Sequence, residues 1–235
     1  MILIHSNSHD ASFNLAVEEY LFSHRNDEIL FLYVNDPCVV VGRNQDVLSE
    51  IDRDFCSENN IPVFKRISGG GTVYHDRGNL NYCFISNRIQ GKSPLDTAFL
   101  KPIVTVLADL EVEVLIGERK DLWLPDGHKI SGTASHVGKT RILHHGTLLY
   151  DADLNNLEKS LTPKAAESLS RAIASVPSPV KNIRSYLKER EFLAPEADSF
   201  FGLLIQKLVD LYCLDSVSEL SSEDISGINP FSHAF

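Results

Sequence analysis

The sequence has no long apolar run, no surplus of positive charge and no paired cysteines. No stretch approaches the roughly 20 apolar residues that span a bilayer, and the N-terminus lacks the basic region of a secretory signal. A net charge of −10 argues against broad binding to nucleic acid or anionic membrane. The cysteines are scattered without zinc-type spacing, which predicts reduced, mostly buried thiols in a cytoplasmic protein: Cys38, Cys56, Cys83 and Cys213.

Three common active-site motifs are also missing. The chain contains no Gly-x-x-x-x-Gly-Lys-Ser/Thr loop and no Gly-x-Gly-x-x-Gly that opens a helix, which disfavours P-loop NTPases and Rossmann enzymes. His75 and Asp76 are adjacent, but no serine stands in a nucleophile elbow, so a serine triad is unsupported. Cys83 has apolar neighbours, which favours a core position over a nucleophile.

The composition supports a folded domain. The 235 residues are 43% hydrophobic and include 12 Phe and 7 Tyr, enough for a substantial core. Strand patterns dominate the first two-thirds, and helical patterns dominate residues 154–228. We therefore predict an α+β fold with mixed or antiparallel sheets and flanking helices, organised as a single domain over residues 1–235.

Periodicity and turn residues set the predicted element bounds. The predicted strands are 1–5, 29–34, 38–41, 61–65, 72–75, 80–87, 112–116, 122–124, 129–136 and 141–150. The predicted helices are 11–24, 48–58, 96–110, 154–161, 164–174, 180–188 and 197–212, with a frayed last turn at 221–228.

A glycine-rich loop joins two of these strands. Gly69, Gly70 and Gly71 follow the cation Arg66, and successive glycines allow a close approach of the backbone to a ligand. Backbone amides beside a positive charge suit an anion such as a phosphate or a carboxylate. A ligand-free hairpin turn is the alternative, and the glycines alone favour it slightly.

Lys129 begins the second candidate segment. It enters a strand from a tight turn, and small residues follow at Ser131, Gly132 and Thr133. Small residues leave room for a ligand, and a fixed lysine can orient a carboxylate and neutralise charge on a phosphate. An ordinary solvated turn lysine is the alternative.

Two further segments carry polar groups. In the run from His144 to Thr147, neighbouring side chains point to opposite faces, so the two histidines cannot bind one metal. Gly146 within a strand predicts close approach of a ligand or another backbone. Asp121 stands in a charged loop, which is either an ordinary surface loop or a Mg²⁺ site beside a phosphate.

Together these segments resemble the lipoate–protein ligase A family, within the biotin/lipoate ligase superfamily. The resemblance covers roughly residues 10–190, in family order. Its main blocks are Arg66-Ile-Ser-Gly-Gly-Gly-Thr-Val-Tyr-His-Asp-Arg-Gly-Asn-Leu-Asn81, Lys129-Ile-Ser-Gly-Thr-Ala134 and His144-His-Gly-Thr-Leu-Leu149 with Asp151 to Leu154. Its supporting blocks are Asn14-Leu-Ala-Val-Glu-Glu-Tyr20, Val41-Gly-Arg-Asn-Gln45 and Ser175-Val-Pro-Ser-Pro-Val-Lys-Asn182.

The resemblance implies an enzyme that activates lipoate with ATP and Mg²⁺ to lipoyl-adenylate. It then transfers the lipoyl group to a lysine of an acceptor domain, in 2-oxoacid dehydrogenase complexes or the glycine-cleavage H protein. Lys129 would contact the carboxyl and α-phosphate groups, Asp121 would lie near the metal, and Val41 and Val73 would line a tunnel for the acyl chain. Arg66 would stand at the pocket mouth. The remaining substrate and adenylate positions would be Ser68, Gly69, Gly70, Gly71, Tyr74, His75, Asn79, Ser131, Gly132, Thr133, His145, Gly146 and Thr147.

The sequence departs from the family pattern at two places. The C-terminal accessory domain of the bacterial ligases is expected to be absent, and the block Ser175–Val180 lacks its usual arginine. The chain is therefore expected to adenylate lipoate alone, to need a separate accessory subunit, or to use ready-made acyl-adenylate only. Octanoate in place of lipoate stays open. A cysteine acyl-enzyme transferase, a biotin ligase and a catalytically dead binding subunit are weaker rivals, because residues 117–128 and 175–182 lack cysteine, the glycine loop differs, and Arg66 and Lys129 are retained.

Overall fold

The computed structural model describes residues 1–89, 96–163 and 175–231. Its strands are β1 (Ile2–His5), β2 (Ile29–Val34), β3 (Cys38–Val41), β4 (Val63–Lys65), β5 (Val73–His75), β6 (Asn79–Asn87), β7 (Leu115–Ile116), β8 (Leu122–Trp123), β9 (Lys129–Ser131), β10 (Thr133–Val137) and β11 (Arg141–Leu149). Its α-helices are α1 (Ala11–His24), α2 (Arg53–Glu58), α3 (Lys101–Ala108), α4 (Leu154–Ser160), α5 (Ile183–Glu189), α6 (Ala197–Leu211) and α7 (Ser222–Gly227). Short 3₁₀ turns occupy Val47–Ser49 and Ala98–Leu100.

The main sheet has five strands in the order β1-β2-β6-β11-β10. The β1–β2 pair is parallel, and the other pairs are antiparallel. Alternation along β2 sends Leu30 and Leu32 into the larger core cluster, with residues of α3, α5 and α6. Phe31 and Tyr33 enter a second cluster with residues of α1. Because helices cover both faces, β2 and β11 are buried along their whole length.

Two small sheets complete the fold. In the order β4-β3-β5, β3 pairs parallel with β4 and antiparallel with β5, which places the glycine loop between β4 and β5. The sheet β7-β8-β9 is antiparallel. Gly132 separates β9 from β10, so a single residue joins this small sheet to the main sheet. Its carbonyl accepts from Thr147 N–H at 3.1 Å, and its own N–H donates to Thr147 Oγ1 at 3.2 Å.

Three predicted elements differ from the structure for local reasons. The helix predicted over 48–58 divides, because the Asp52 side chain caps a new helix by accepting from Phe55 N–H at 3.0 Å. The strand predicted over 129–136 divides at Gly132. The helix predicted from Val180 begins at Ile183, because Lys129 first pairs with the preceding residues: Lys129 N–H donates to the Pro179 carbonyl at 2.8 Å.

Other predicted elements are present with changed bounds or type. The strand predicted over 112–116 is confined to Leu115–Ile116, and the helix predicted over 96–110 begins as a 3₁₀ turn. The helix predicted over 164–174 lies outside the described residues. The turn predicted over 221–228 is a regular helix whose capping box joins Ser221 and Asp224. In the described ranges, every helix is too short or too polar to cross a membrane.

Candidate functional site

One pocket of about 410 Å³ brings together the glycine loop, the start of β9, and β10 and β11. Nine further residues on its wall belong to none of the predicted site or tunnel positions. They come from α1, from β2, β3, β6 and β10, and from three loops: Leu15, Tyr33, Val40, Thr72, Asn81, Arg119, Ala134, Ser175 and Val176. The pocket therefore draws on segments spread across most of the chain.

A cationic corner forms part of the wall. Lys129 Nζ lies 3.4 Å from Asp121 Oδ2, and Arg119 Nη2 lies 3.7 Å from the same oxygen. This Oδ2 is buried, and in the described part of the chain it has no hydrogen-bond donor. Burial lowers the pKa of Lys129, and the Asp121 carboxylate opposes that shift. The corner can therefore receive an anion on its two cations, while the Asp121 oxygen that pairs with both cations can also face a bound cation.

An apolar group forms another part of the wall. Leu15 of α1 and Val40 of β3 are buried together, and Val73 of β5 packs against them. Val41, the predicted tunnel residue, faces the other way, into a core cluster with Ile51 and Val63. The tunnel assignment of Val41 is therefore wrong, because alternation along β3 turns Val40 to the pocket.

Arg66 lies beneath the glycine loop. Its guanidinium donates to the carbonyls of Gly69 and Gly71, both at 2.7 Å, and to that of Val40 at 3.0 Å. Burial lowers the pKa of Arg66 to about 10, so the group stays charged at neutral pH. Only 7% of Arg66 is exposed, which contradicts its expected place at the mouth. The loop carbonyls accept the N–H groups of Arg66, so this cation stabilises the conformation of the glycine loop.

A buried chain of hydrogen bonds reaches Arg66 from α1. The Glu18 carboxylate lies 2.8 Å from His145 Nδ1, and His145 Nε2 lies 2.6 Å from Ser68 Oγ. Ser68 Oγ also accepts from Arg66 Nε at 2.9 Å. Because a carboxylate only accepts, His145 Nδ1 is the donor to Glu18. The chain fixes the orientation of His145 and of Arg66.

Cys83 lies beside this chain. The ligand atoms of Glu18, Cys83 and His145 all lie within 4.8 Å of one another. The second Glu18 oxygen accepts from Tyr33 Oη at 3.1 Å, and burial raises the pKa of the Cys83 thiol well above its usual value. Each group is thus already hydrogen-bonded or neutral, so the cluster serves positioning rather than metal binding. Its buried thiol confirms the core position predicted for Cys83.

His75 reaches the pocket at the end of a chain of buried amides. Asn35 Nδ2 donates to His75 Nδ1 at 3.1 Å, and Asn35 Oδ1 accepts from Asn14 Nδ2 at 2.9 Å. Burial, followed by the charges of Arg66 and His145, lowers the pKa of His75 to about 3. His75 is therefore a neutral group whose Nε2 is left to donate.

The predicted site residues divide into two sets. Those that line the pocket are Arg66, Gly70, Gly71, His75, Asp121, Lys129, Gly132, Thr133, His145, Gly146 and Thr147. Ser68, Gly69, Tyr74, Asn79 and Ser131 stand behind the wall. Ser68 and Gly69 bind Arg66, Ser131 Oγ lies 3.1 Å from Tyr82 Oη, Asn79 donates to Asn81, and Tyr74 packs in the core.

The pair His144 and His145 divides as predicted. His145 faces the pocket, and His144 stacks on Phe99 with ring centroids 4.1 Å apart. Other groups approach Gly146 closely, as its place within a strand predicted. A Cβ there would stand 2.3 Å from Tyr82 Oη and 2.9 Å from the Gly132 carbonyl.

Fold and pocket together define an α+β domain whose site suits a ligand with both an anionic and an apolar part. The family model described as "Lipoyl protein ligase A/B catalytic domain" matches residues 10–201. The chain therefore belongs to that family, which confirms the resemblance seen in its motifs.

Two curated relatives illustrate the family's range. The chain is 38% identical over 192 residues to lipoate-protein ligase LplJ of Bacillus subtilis, which covers 81% of this chain and 58% of the relative. It is 40% identical over 187 residues to the human mitochondrial lipoyl amidotransferase LIPT1, and the aligned region covers 77% of this chain and 49% of the relative. The chain thus spans about half the length of these relatives.

Solved structures confirm the predicted fold class. A lipoate-protein ligase A bound with ATP superposes with a TM-score of 0.76 at 23% identity, covering 96% of this chain and 90% of that one. A bi-partite lipoate protein ligase of Thermoplasma acidophilum, studied with its E2 lipoyl domain, gives 0.73 at 23% identity, covering 96% and 88%. At this identity the likeness concerns the fold.

Proposed function

We propose that this chain is a lipoate–protein ligase that forms lipoyl-adenylate from lipoate and ATP and transfers the lipoyl group to an acceptor lysine. One observation carries the proposal: a cationic corner at Lys129 and an apolar wall at Leu15 and Val40 share one pocket. Lipoyl-adenylate has the matching parts, an acyl chain and a phosphate joined by a mixed anhydride. The names of the curated relatives support the same substrate.

In the first step, a lipoate carboxylate oxygen attacks the α-phosphorus of ATP, and pyrophosphate leaves with the electrons of the broken P–O bond. Two anions must meet, so positive charge at the meeting point lowers the barrier. Lys129 and Arg119 supply that charge, and the glycine loop supplies backbone amides. Arg66 maintains the loop conformation that presents them.

Asp121 fits a Mg²⁺ site in which the protein supplies a single carboxylate. Its buried Oδ2 lacks a donor in the described ranges, and Mg²⁺ usually takes one or two protein carboxylates together with phosphate oxygens. Asp121 would hold the ion with the phosphates of ATP. The ion would neutralise phosphate charge when bound.

In the second step, the neutral amine of the acceptor lysine attacks the acyl carbon to form an amide, AMP leaves with the electrons of the broken C–O bond, and the surplus amine proton is released. This step needs positioning and exclusion of water, because the anhydride is already reactive. No enzyme nucleophile is required, and among the described residues no cysteine lines the pocket. The acceptors we propose are lipoyl domains of 2-oxoacid dehydrogenase complexes or the H protein. ATP and lipoate are the small-molecule substrates, and the cytoplasm is the proposed location.

A second function is a lipoyl transferase that uses ready-made lipoyl-adenylate. The 40% identity to a protein named as a lipoyl amidotransferase favours it. The proposed single catalytic domain could act in either way, alone or with an accessory subunit.

One comparison tests both functions. Lipoate-dependent release of pyrophosphate from ATP is measured in parallel with transfer from synthetic lipoyl-adenylate to an apo lipoyl domain, with octanoate as the second acyl group. Activity in both assays supports the ligase, and transfer alone supports the second function. Activity in neither assay contradicts both. Reactions without acceptor and without lipoate serve as controls.

A further inference from the structure

A second hydrogen-bond network, at the wall of the pocket, centres on Glu50. This residue directly follows the 3₁₀ turn Val47–Ser49, and only 6% of it is exposed. Its Oε1 accepts from the backbone N–H of Ser175 at 3.1 Å, and its Oε2 accepts from the Ser175 hydroxyl in a short hydrogen bond. One carboxylate thus receives both donors of a single residue far along the chain.

Ser175 in turn joins two other loops. Its Oγ accepts from the backbone N–H of Thr72, at the end of the glycine loop, and from Gln45 Nε2, both at 3.0 Å. Gln45 Oε1 accepts from Thr72 Oγ1 at 2.9 Å. The contact is close enough that a Cβ on Gly71 would stand 3.0 Å from Ser175 Oγ. Three loops therefore meet at one serine, and Glu50 holds that serine.

Residues 175–180 are held at two places. Ser175 is bound by the Glu50 carboxylate, Thr72 N–H and Gln45 Nε2, and the Pro179 carbonyl accepts from Lys129 N–H at 2.8 Å. Between them, Val176 lines the pocket and is 62% exposed, so its own packing contributes little to holding it there. In residues 1–89, 96–163 and 175–231, no cation pairs with Glu50, so its buried charge depends on the Ser175 donors.

We propose that Glu50 is a positioning residue that keeps Ser175 and Val176 in the pocket wall and thereby slows the escape of bound acyl-adenylate. This inference rests on the proposed function. It assigns Glu50 no contact with the ligand. Loss of the carboxylate would weaken the two hydrogen bonds that Ser175 donates to residue 50, while those from Thr72 and Gln45 and the pairing of Pro179 with Lys129 remain.

The test compares Glu50→Gln with Glu58→Gln, an exposed glutamate at the end of α2. The probe is a non-hydrolysable sulfamate analogue of lipoyl-adenylate, and its dissociation rate is measured by stopped-flow displacement. We expect dissociation to be about tenfold faster in Glu50→Gln, with a smaller change in association rate, because an amide cannot accept both Ser175 donors. Glu58→Gln should dissociate like the wild type.

Ser175→Ala removes the hydroxyl donor to Glu50 together with the acceptor of Thr72 N–H and Gln45 Nε2, so it tests the whole junction if Glu50→Gln does not fold. A second readout is the ratio of adenylate lost as free lipoate to acceptor lysine modified, which should rise in both variants. Wild-type dissociation rates in folded variants would overturn the role of Glu50. Failure of the wild type to bind the analogue would instead overturn the proposed function.

Discussion

Replacement of Lys129 by methionine separates the chemical role of the ammonium from its structural role. Methionine keeps most of the aliphatic stem and removes the charge that faces Asp121 at 3.4 Å. Loss of one preorganised charge at a reacting oxygen typically costs about 10²–10³ in rate. We expect a loss of that size in single-turnover transfer from synthetic lipoyl-adenylate to an apo lipoyl domain.

The same change has a smaller effect on folding. Removing one partner of a fully buried ion pair costs about 3–5 kcal/mol. The Lys129 side chain is 20% exposed, and Arg119 remains 3.7 Å from the same carboxylate oxygen. We therefore expect a loss of about 1–2 kcal/mol in the free energy of unfolding, measured in urea at neutral pH. The total is about 5–15 kcal/mol for typical domains, so the variant should fold.

Two further variants complete the experiment. Lys139→Met changes an exposed lysine of the β10–β11 turn and should alter neither the rate nor the stability. The double variant Lys129→Met with Asp121→Asn removes the uncompensated carboxylate, so it should recover stability without recovering rate. Wild-type transfer by the single variant, or recovery of rate in the double variant, would refute a chemical role for Lys129.

Three other changes have expected outcomes. Arg66→Lys leaves loop carbonyls without donors, at a cost of about 1–3 kcal/mol each. This should lower the urea midpoint of unfolding and weaken binding of the adenylate analogue. Unchanged values would contradict a supporting role for Arg66. Burial lowers the pKa of His75 to about 3, so the unfolded chain binds a proton near pH 6.5 that the folded chain does not. Stability should therefore fall as pH drops from 6.5 toward 3, and less steeply in His75→Gln; parallel curves would refute this. Gly146→Ala places a Cβ 2.3 Å from Tyr82 Oη and should cost about 1–3 kcal/mol, whereas Gly132→Ala, whose nearest neighbour is Lys129 at 3.7 Å, should keep its melting temperature.

The parts of the site that depend on local pattern were predictable. Glycines, turns and the lysine that enters β9 mark the wall because their chemistry is visible over a few residues. The same local reasoning correctly placed His144 and His145 on opposite faces, since adjacent strand residues diverge.

The parts that depend on long-range packing were not predictable. Alternation along β3 indicates two faces, but only the packing of α1 decides that Val40 and not Val41 meets the pocket. Glu18 carried a weak signal, since it stands four residues after Asn14 in a helix with many apolar residues, and both are buried. Their partners lie on other elements, at Ser6, Asn35 and His145.

Arg66 shows the limit most clearly. A cation next to three glycines predicts an open anion site, yet the loop folds back over it. Its carbonyls then take the guanidinium donors. The sequence shows that a charged residue is present, but its hydrogen-bond partners depend on the backbone conformation around it.

The single-residue junction at Gly132 has a mechanical consequence. Lys129 is anchored in the small sheet, and Thr133 begins the edge strand of the main sheet, with only one residue between them. A rotation of the three-stranded sheet about Gly132 would therefore move the Lys129 ammonium relative to the glycine loop. The stiffness of this junction would then influence how precisely the Lys129 ammonium is placed opposite the glycine loop.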